Sequence, residues 1–191
     1  MINTESCDSK TDNELVRMSL RDSDYFLYLS KRYEDKLLRY IKRISKFGQE
    51  DAEDVLQEVF IKTYYNLNGF DPELKFSSWI YRIAHNETVS AIRKKSVRPT
   101  VYLEVEDINK FSDAFDMTKD IDNTLDRKVI DEALSRLDEK YREVLVLRFL
   151  DEKEYVEISD ILKKPVSTVG NLILRGKKLF KEEYEKLIIK N

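Results

Sequence analysis

Glycine, proline, cysteine and histidine are scarce in this chain of 191 residues, which contains four, three, one and one of them. Sandwiches and barrels of β-strands need many turn residues, and collagen-like chains need far more glycine and proline, so both classes are excluded. Cys7 has no partner for an internal disulfide, and together with His85 it cannot supply the ligand set of a zinc site. We therefore expect no metal and no cofactor.

Long apolar runs are also absent, since the longest is only a few residues. A membrane-spanning helix needs about 20 consecutive apolar residues, so membrane insertion is not expected. The N-terminal stretch is polar and lacks the apolar core of a secretion signal. We expect a cytoplasmic protein.

Charged residues are abundant, at 37% of the chain beside 41% hydrophobic residues, and this mixture is typical of amphipathic helices. The net charge of -3 hides an uneven distribution. Residues 75–98 carry six basic side chains against one acid, residues 99–126 carry eight acids against two lysines, and residues 163–181 carry six basic side chains and no acid. Two basic patches thus flank an acidic segment; taken singly, each such run is typical of a solvated helix face.

Apolar spacings of three and four predict helices through the first half of the chain. Asn68-Gly69 and Asp71-Pro72 are typical turn pairs and predict a loop over 68–76. Gly48 is expected to end one helix, and Ser77 to cap another. The predicted helices span 13–20, 24–46, 50–67 and 78–95.

The second half begins with a segment, 97–123, that has no sustained period and is interpreted as a linker. Helices are then predicted from Leu125, around Tyr141 and over 156–162. Residues 163–166 break the pattern, and Ser167 is expected to cap a final helix that runs to about Lys186. Two helices joined by a tight turn, the second basic, indicate a helix-turn-helix, although plain helical bundles contain similar hairpins.

Catalysis is not expected, because no nucleophile and base can be assembled around His85 and no glycine-rich phosphate loop is present. Aromatic residues are dense between Tyr64 and Tyr81, beside Lys75 and Arg82. Unpaired bases stack on aromatic rings while cations follow the phosphates, so this region is a candidate surface for melted DNA. Phe76 and Trp79 also suit a helical core, whereas we interpret Tyr81 as functional.

Two stretches of the sequence resemble parts of a known family. The stretch DAEDVLQEVFIKTYYNLNGFDPELKFSSWIYRIAHN, with the basic tail IRKK, is similar to region 2 of bacterial sigma factors of the extracytoplasmic-function class. The stretch LSRLDEKYREVLVLRFLDEKEYVEISDILKKPVSTVGNLILRGKKLFKE resembles region 4 of the same class. Their order matches the family, which makes the resemblance specific.

The resemblance implies roles for individual residues of region 2. An acidic helix face would dock on the β′ clamp of core RNA polymerase, with the β subunit as a second contact; its residues are Asp51, Asp54, Gln57 and Glu58. The loop over 68–76 and the helix after it would open the promoter -10 element and capture a flipped base. The residues implied there are Phe70, Lys75, Phe76, Trp79, Tyr81, Arg82, Asn86, Arg93 and Lys94.

In region 4 the resemblance implies that the last helix enters the major groove of the -35 element. The implied contacts come from Ser167, Thr168, Asn171, Arg175 and Lys178. Gly170, Leu172 and Gly176 depart from the basic residues and alanine that the family commonly has, which predicts fewer base contacts and a helix weakened by about 1 kcal/mol per glycine.

These observations predict an all-α protein with two small helical domains, 1–96 and 125–191, joined by an acidic linker, 97–124. The predicted function is that of a sigma factor, without enzymatic activity, whose partners are core RNA polymerase, promoter DNA and an anti-sigma protein. A stand-alone helix-turn-helix regulator is the alternative, but it has no use for the acidic face or the aromatic loop. A purely helical interaction module is a third possibility, and it predicts no salt-dependent DNA binding.

Overall fold

The structure, a computed structural model, describes residues 7, 9–95 and 124–189. In these ranges the chain forms eight α-helices, one 3₁₀ turn and one π-helical segment, and it forms no strand. The prediction of an all-α fold is confirmed. The chain divides into two compact units. The first is built on the first four helices and also includes Asp160–Leu162, and the second is built on the remaining parts of the last four helices. The predicted acidic linker lies outside the described residues, except for the start of the fifth helix.

The first unit is a helical bundle centred on α2. Both α1 and α3 pack against α2, and a short 3₁₀ turn continues from the end of α3. Its elements are α1 (Asp12–Ser19), α2 (Asp24–Ser45), α3 (Gln49–Tyr65), the 3₁₀ turn (Leu67–Gly69) and α4 (Phe76–Lys95).

The short helix α1 is fixed at its start by a capping box. The Glu14 backbone N–H donates to the Thr11 hydroxyl at 3.3 Å, and the Thr11 backbone N–H donates to the Glu14 carboxylate at 2.7 Å. Asp12 then joins α1 to α2, because its carboxylate accepts from Arg32 at 2.7 Å and from the Tyr33 hydroxyl. These bonds hold α1 against the middle of α2.

The second unit packs α5 and α6 against the long last helix. Its elements are α5 (Thr124–Arg136), α6 (Glu139–Leu145), the π segment (Val146–Leu150), α7 (Tyr155–Leu162) and α8 (Val166–Ile188). One face of α8 is buried at spacings of four, three and four, through Val169, Ile173, Gly176 and Phe180. This periodicity leaves the opposite face of α8 open.

Three predicted helix ends are wrong in detail. Helix α2 ends through Lys46, which takes the left-handed conformation at φ 62°, whereas Gly48 has φ -64° and precedes α3. Ser77 lies inside α4, which begins at Phe76. Ser167 lies inside α8, which starts after Pro165, whose φ of -55° suits a helix start.

No helix within 9–95 or 124–189 combines the length and the apolar character that crossing a bilayer requires.

Candidate functional site

The acidic face of α3 is presented to solvent by the packing of the opposite face. Asp54, Gln57 and Glu58 are exposed, and Asp51 is half-buried. The other side of the helix is buried through Ala52, Val55, Leu56 and Val59. Of this face only Asp51 lies in the first turn of α3, where the helix dipole favours a carboxylate, whereas Asp54 and Glu58 lie one turn apart and repel each other.

The aromatic residues around the 68–76 loop form a core rather than an open surface. The ring centroids of Phe70, Phe76 and Trp79 lie 5.3–5.6 Å apart, and Tyr33 of α2 packs edge-on against Phe76 at 5.6 Å. All three rings of the loop and α4 are buried. They fix the start of α4 against the loop, and Phe70 and Phe76 have no face available for stacking on a base.

The structure contradicts the interpretation of Tyr81 as a functional residue. Its side chain is only 1% exposed, and its ring lies 5.2 Å from that of Tyr40. The Tyr40 hydroxyl is in turn 3.2 Å from Nδ1 of His85. The interpretation of Tyr81 as a functional ring is therefore wrong for this conformation, since the residue is part of the contact between α2 and α4.

The exposed rings of this region are instead at the end of α3. Tyr64 and Tyr65 are 43% and 78% exposed, with their ring centroids 6.0 Å apart. Tyr64 also contacts Phe26 of α2 at 5.2 Å, so one of its faces is covered. Tyr65 thus offers an open ring beside the 3₁₀ turn.

A polar pocket of about 320 Å³ lies between the end of α3, the 3₁₀ turn and α4. It brings together three of the predicted site residues, Trp79, Arg82 and Asn86. Sequence reasoning missed its other members, because they converge only in the folded unit. They are Lys62, Asn66, Gly69, Ile83 and Glu87.

The pocket wall is held by two local contacts. The Lys62 ammonium lies 2.6 Å from the Glu87 carboxylate and ties α3 to α4. The Asn66 side-chain amide donates to the backbone carbonyl of Lys62 at 2.8 Å and so fixes the end of α3. A guanidinium and two amides beside apolar Trp79 and Ile83 can hydrogen-bond the edge of a flat polar group while covering its faces.

The remaining predicted residues of the first unit do not join the pocket. Lys75 is exposed just before the start of α4, whereas Arg93 and Lys94 are exposed at its other end. The rise of an α-helix puts Lys75 and Lys94 about 28 Å apart along its axis. The nine predicted residues thus separate into a buried cluster, a pocket and cations at two distant ends of α4.

The turn between α7 and α8 is tightly built. Lys163 takes the left-handed conformation at φ 53°, and the Ser159 hydroxyl donates to the Lys164 carbonyl at 2.6 Å. The Lys164 N–H donates to the Ser159 carbonyl at 3.2 Å. These hydrogen bonds close a turn of three residues, 163–165, which is the turn of the predicted helix-turn-helix.

The open face of α8 carries the predicted -35 residues. Four of them are exposed and Arg175 is half-buried. Their spacing matches one side of the helix, opposite the buried face. The exposed ones are Ser167, Thr168, Asn171 and Lys178.

The two glycines of α8 have different surroundings. A Cβ on Gly170 would lie 3.8 Å from the Tyr155 ring, an ordinary contact. A Cβ on Gly176 would lie 3.2–3.4 Å from three side-chain atoms of Leu145. Gly176 therefore permits the close approach of α6 and α8, a role that the sequence interpretation did not foresee.

One buried carboxyl stands out in the second unit. Burial raises the pKa of Glu143 to about 8, and the neighbouring carboxylate of Glu139 acts in the same direction. Lys164 and Arg142 oppose the rise in pKa only in part. Glu143 therefore stays protonated in the folded unit at neutral pH.

Comparison with known proteins gives two family matches and several similar chains. The family model described as Sigma-70 region 2 matches residues 29–98, and that described as Sigma-70, region 4 matches residues 127–180. The ECF RNA polymerase sigma factor SigW of Bacillus subtilis is 35% identical over 181 residues, covering 87% of this chain and 92% of that protein. The ECF RNA polymerase sigma-E factor of Escherichia coli is 30% identical over 187 residues, covering 93% and 96%.

Two solved structures share the fold at 20% identity. CnrH, in complex with the cytosolic domain of CnrY, has a TM-score of 0.69 and covers 92% of this chain and 97% of its own. The sigma factor RpoE of Bartonella quintana, in complex with the anti-sigma factor NepR, has a TM-score of 0.65 and covers 86% and 98%.

Proposed function

Because this chain belongs to the extracytoplasmic-function family of RNA polymerase sigma factors, we propose that its two units divide promoter recognition between them. As a sigma factor, it binds core RNA polymerase and directs it to promoters for transcription initiation. The family is not one of catalytic enzymes, and we propose that this chain has no catalytic activity of its own. The observation that carries this proposal is that regions 2 and 4 match in order on two separate compact units.

Polymerase docking is assigned to the acidic face of α3. Asp54 and Glu58 lie one turn apart on one side of the helix and can meet a basic partner helix together. Gln57 lies between them on the exposed side, and Asp51 extends the face toward the helix start. The resemblance to the family makes the β′ clamp the partner of this face.

Base capture is assigned to the pocket between α3 and α4. Extruding a base from the duplex costs a few kcal/mol, which a preformed pocket offsets. Asn66 and Asn86 supply donors and acceptors for the base edge, and Arg82, whose guanidinium also donates to Asp160 at 3.0 Å, has further N–H groups to donate. The open ring of Tyr65 stands beside the pocket as a stacking partner for a neighbouring base.

Recognition of the -35 element is assigned to α8. Arg175 can read guanine and Asn171 adenine through paired hydrogen bonds, and Lys178 can meet a phosphate. Leu172 is apolar where the family commonly has a basic residue, so this face has few cations, and we infer a -35 contact of low affinity.

The chain is further proposed to act in the cytoplasm and to be held by an anti-sigma protein. The solved structure of RpoE, which shares the fold, contains the anti-sigma factor NepR.

Reconstitution tests the function directly. The full chain should co-elute with core polymerase and support transcription from a cognate promoter, which can be selected from a random library. The free chain, with its net charge of -3, should bind the same duplex far more weakly than the holoenzyme. Absence of co-elution, or tight duplex binding by the free chain at physiological salt, would favour the stand-alone regulator.

A paired experiment tests the division between the units. Arg175→Ala removes a paired contact worth roughly 1–3 kcal/mol, so closed-complex binding should weaken, and a template melted in advance should not restore it fully. Asn86→Ala should leave closed binding intact and slow opening, with partial recovery on the melted template. A base analogue in the -10 non-template strand reports opening, and a gel shift reports closed binding. If both variants fail at the same step, the assigned division is wrong.

A further inference from the structure

A row of cations follows the outer face of α2 and has no part in the functions assigned above. Its members are Lys36, Arg39, Lys42, Arg43 and Lys46, of which Arg43 is half-buried and the others are exposed. At about 100° per residue the four that lie on α2 fall within an arc of about 120° and extend over about 10 Å of helix axis, and Lys46 follows directly after the helix. In the sequence these cations belong to a run, residues 36–46, that carries five basic side chains and no acid.

The row points away from the core of the first unit. Leu37, Tyr40, Ile41 and Ile44 occupy the opposite side of α2 and are buried. Like charges three and four residues apart on a helix repel each other. Lys42 and Arg43 lie in the last turn of α2, where the helix dipole favours cations. Lys36 and Arg39 lie before that turn and repel each other, so the helix end does not account for their charge.

Arg32 lies one turn before the row and, unlike Lys36 and Arg39, has a structural role. Its guanidinium donates to Asp12 at 2.7 Å and to the Lys10 carbonyl at 3.0 Å, which fixes α1. Lys36 and Arg39 form no ion pair with any carboxylate in the described part of the chain. Lys42 donates to the neutral side-chain oxygen of Gln49 at 2.9 Å and keeps its charge.

We propose that this row binds the sugar-phosphate backbone of promoter DNA in the holoenzyme, as a contact separate from the pocket and from α8. Steps of three residues place Lys36, Arg39 and Lys42 about 4.5 Å apart along the axis, and their long side chains can reach successive phosphates. Stable protein interfaces have an apolar centre, and the acidic face of α3 has an exposed apolar side chain in Ile61. Leu27 is the one large apolar side chain exposed on α2, and it lies near the other end of the helix. The chemistry of the row thus favours phosphate over a protein surface.

Site-specific crosslinking identifies the occupant. A photoreactive group attached to Arg39→Cys should crosslink to DNA in the complex of holoenzyme with promoter. The native Cys7 is 1% exposed and should not take the label in the folded chain. Arg17→Cys, exposed on α1, is the matched control and should give no DNA crosslink. A crosslink from position 39 to a polymerase subunit, or none to DNA, overturns the proposal.

Salt dependence measures the contact. Lys36→Gln with Arg39→Gln should reduce the slope of log affinity against log salt by about 1.8 on duplex or about 1.4 on single-stranded DNA, and weaken binding roughly tenfold at moderate salt. Arg17→Gln with Arg21→Gln makes an equivalent charge change and should leave the slope unchanged. The same slopes are measured for the free full chain on non-promoter DNA, so that failure to form a holoenzyme is recognised separately. An unchanged slope, or an equal loss in the control pair, contradicts the proposal.

Discussion

The two units of this protein present their recognition groups in different ways. The first unit forms a concave pocket where two helices and a 3₁₀ turn converge, and buried rings hold the walls in place. The second unit presents the convex face of a single helix, whose polar side chains need only that helix to be formed. A pocket made by converging elements couples recognition to packing, whereas an exposed helix face can change its contacts with little effect on stability. The predictions below test this contrast.

The largest effect is expected on the acidic face of α3. This face belongs to the first unit but is carried by a single helix, so its recognition, unlike that of the pocket, is not coupled to packing. Asp54→Arg with Glu58→Arg reverses two exposed charges and should abolish co-elution with core polymerase. The melting curve should stay nearly unchanged, because exposed substitutions usually alter stability by no more than about 0.5 kcal/mol. Glu34→Arg with Asp35→Arg on α2 makes the same charge change and should still co-elute. Normal co-elution of the α3 variant would remove this face from the proposed function.

The coupling between recognition and packing in the first unit is tested at Tyr81. Tyr81→Ala removes a fully buried ring and should destabilise the protein by about 3–5 kcal/mol, as truncations of buried aromatic residues do. Tyr65→Ala, at the exposed ring, should stay within about 0.5 kcal/mol of the natural protein. Urea unfolding followed by circular dichroism measures both. A stable Tyr81→Ala variant that is defective only in promoter opening would restore the functional interpretation of this ring.

In the second unit, Glu143 predicts that stability depends on pH. Its pKa is raised from 4.5 to about 8 by burial, so the folded unit binds more protons than the unfolded chain between these values. Stability should therefore fall as the pH rises from about 5 to about 8, and should level off above that. Glu143→Gln should remove this part of the pH dependence, as measured by calorimetry of the full chain. An unaltered pH profile in the variant would show that another group is responsible.

The smallest effects separate the two glycines of α8. Gly170→Ala should stabilise the second unit by up to about 1 kcal/mol, because alanine favours the helix and its Cβ makes only an ordinary contact with Tyr155. Gly176→Ala gains the same helix preference, but its Cβ crowds Leu145, and overpacking of this kind costs about 1–3 kcal/mol. Thermal melts of the two variants should thus shift in opposite directions. A shift of equal sign would mean that Leu145 moves aside freely.

Periodicity in the sequence was sufficient to predict the helices of both units. The predicted 24–46 is found as Asp24–Ser45, and the predicted 156–162 as Tyr155–Leu162. The observed helix ends differ from the predicted ones where another residue ends the helix. At the end of α2 this residue is Lys46, in the left-handed conformation. Helix ends depend on one or two dihedral angles, which the spacing of apolar residues does not determine.

Sequence reasoning located candidate residues on exposed faces only where a single helix carries them. Exposed positions on α3 and α8 follow from helical spacing, and the structure places them on open faces. The pocket could not be predicted in full, because Lys62 and Glu87 meet only after α3 and α4 have packed together. Aromatic density near the loop indicated the right region, but composition does not tell a buried ring such as Tyr81 from an open one such as Tyr65.

The π segment at Val146–Leu150 places one extra residue in the turn that follows α6. Here the Asp151 N–H donates to the Val146 carbonyl, five residues back, at 3.0 Å. A π turn holds one residue more than the α turn it replaces. In an ordinary helix, losing one residue rotates everything beyond it by about 100°. Non-helical residues 151–154 separate this segment from α7, so deleting one residue of the segment should convert the π turn to an α turn and cost less stability than a deletion in the middle of α8.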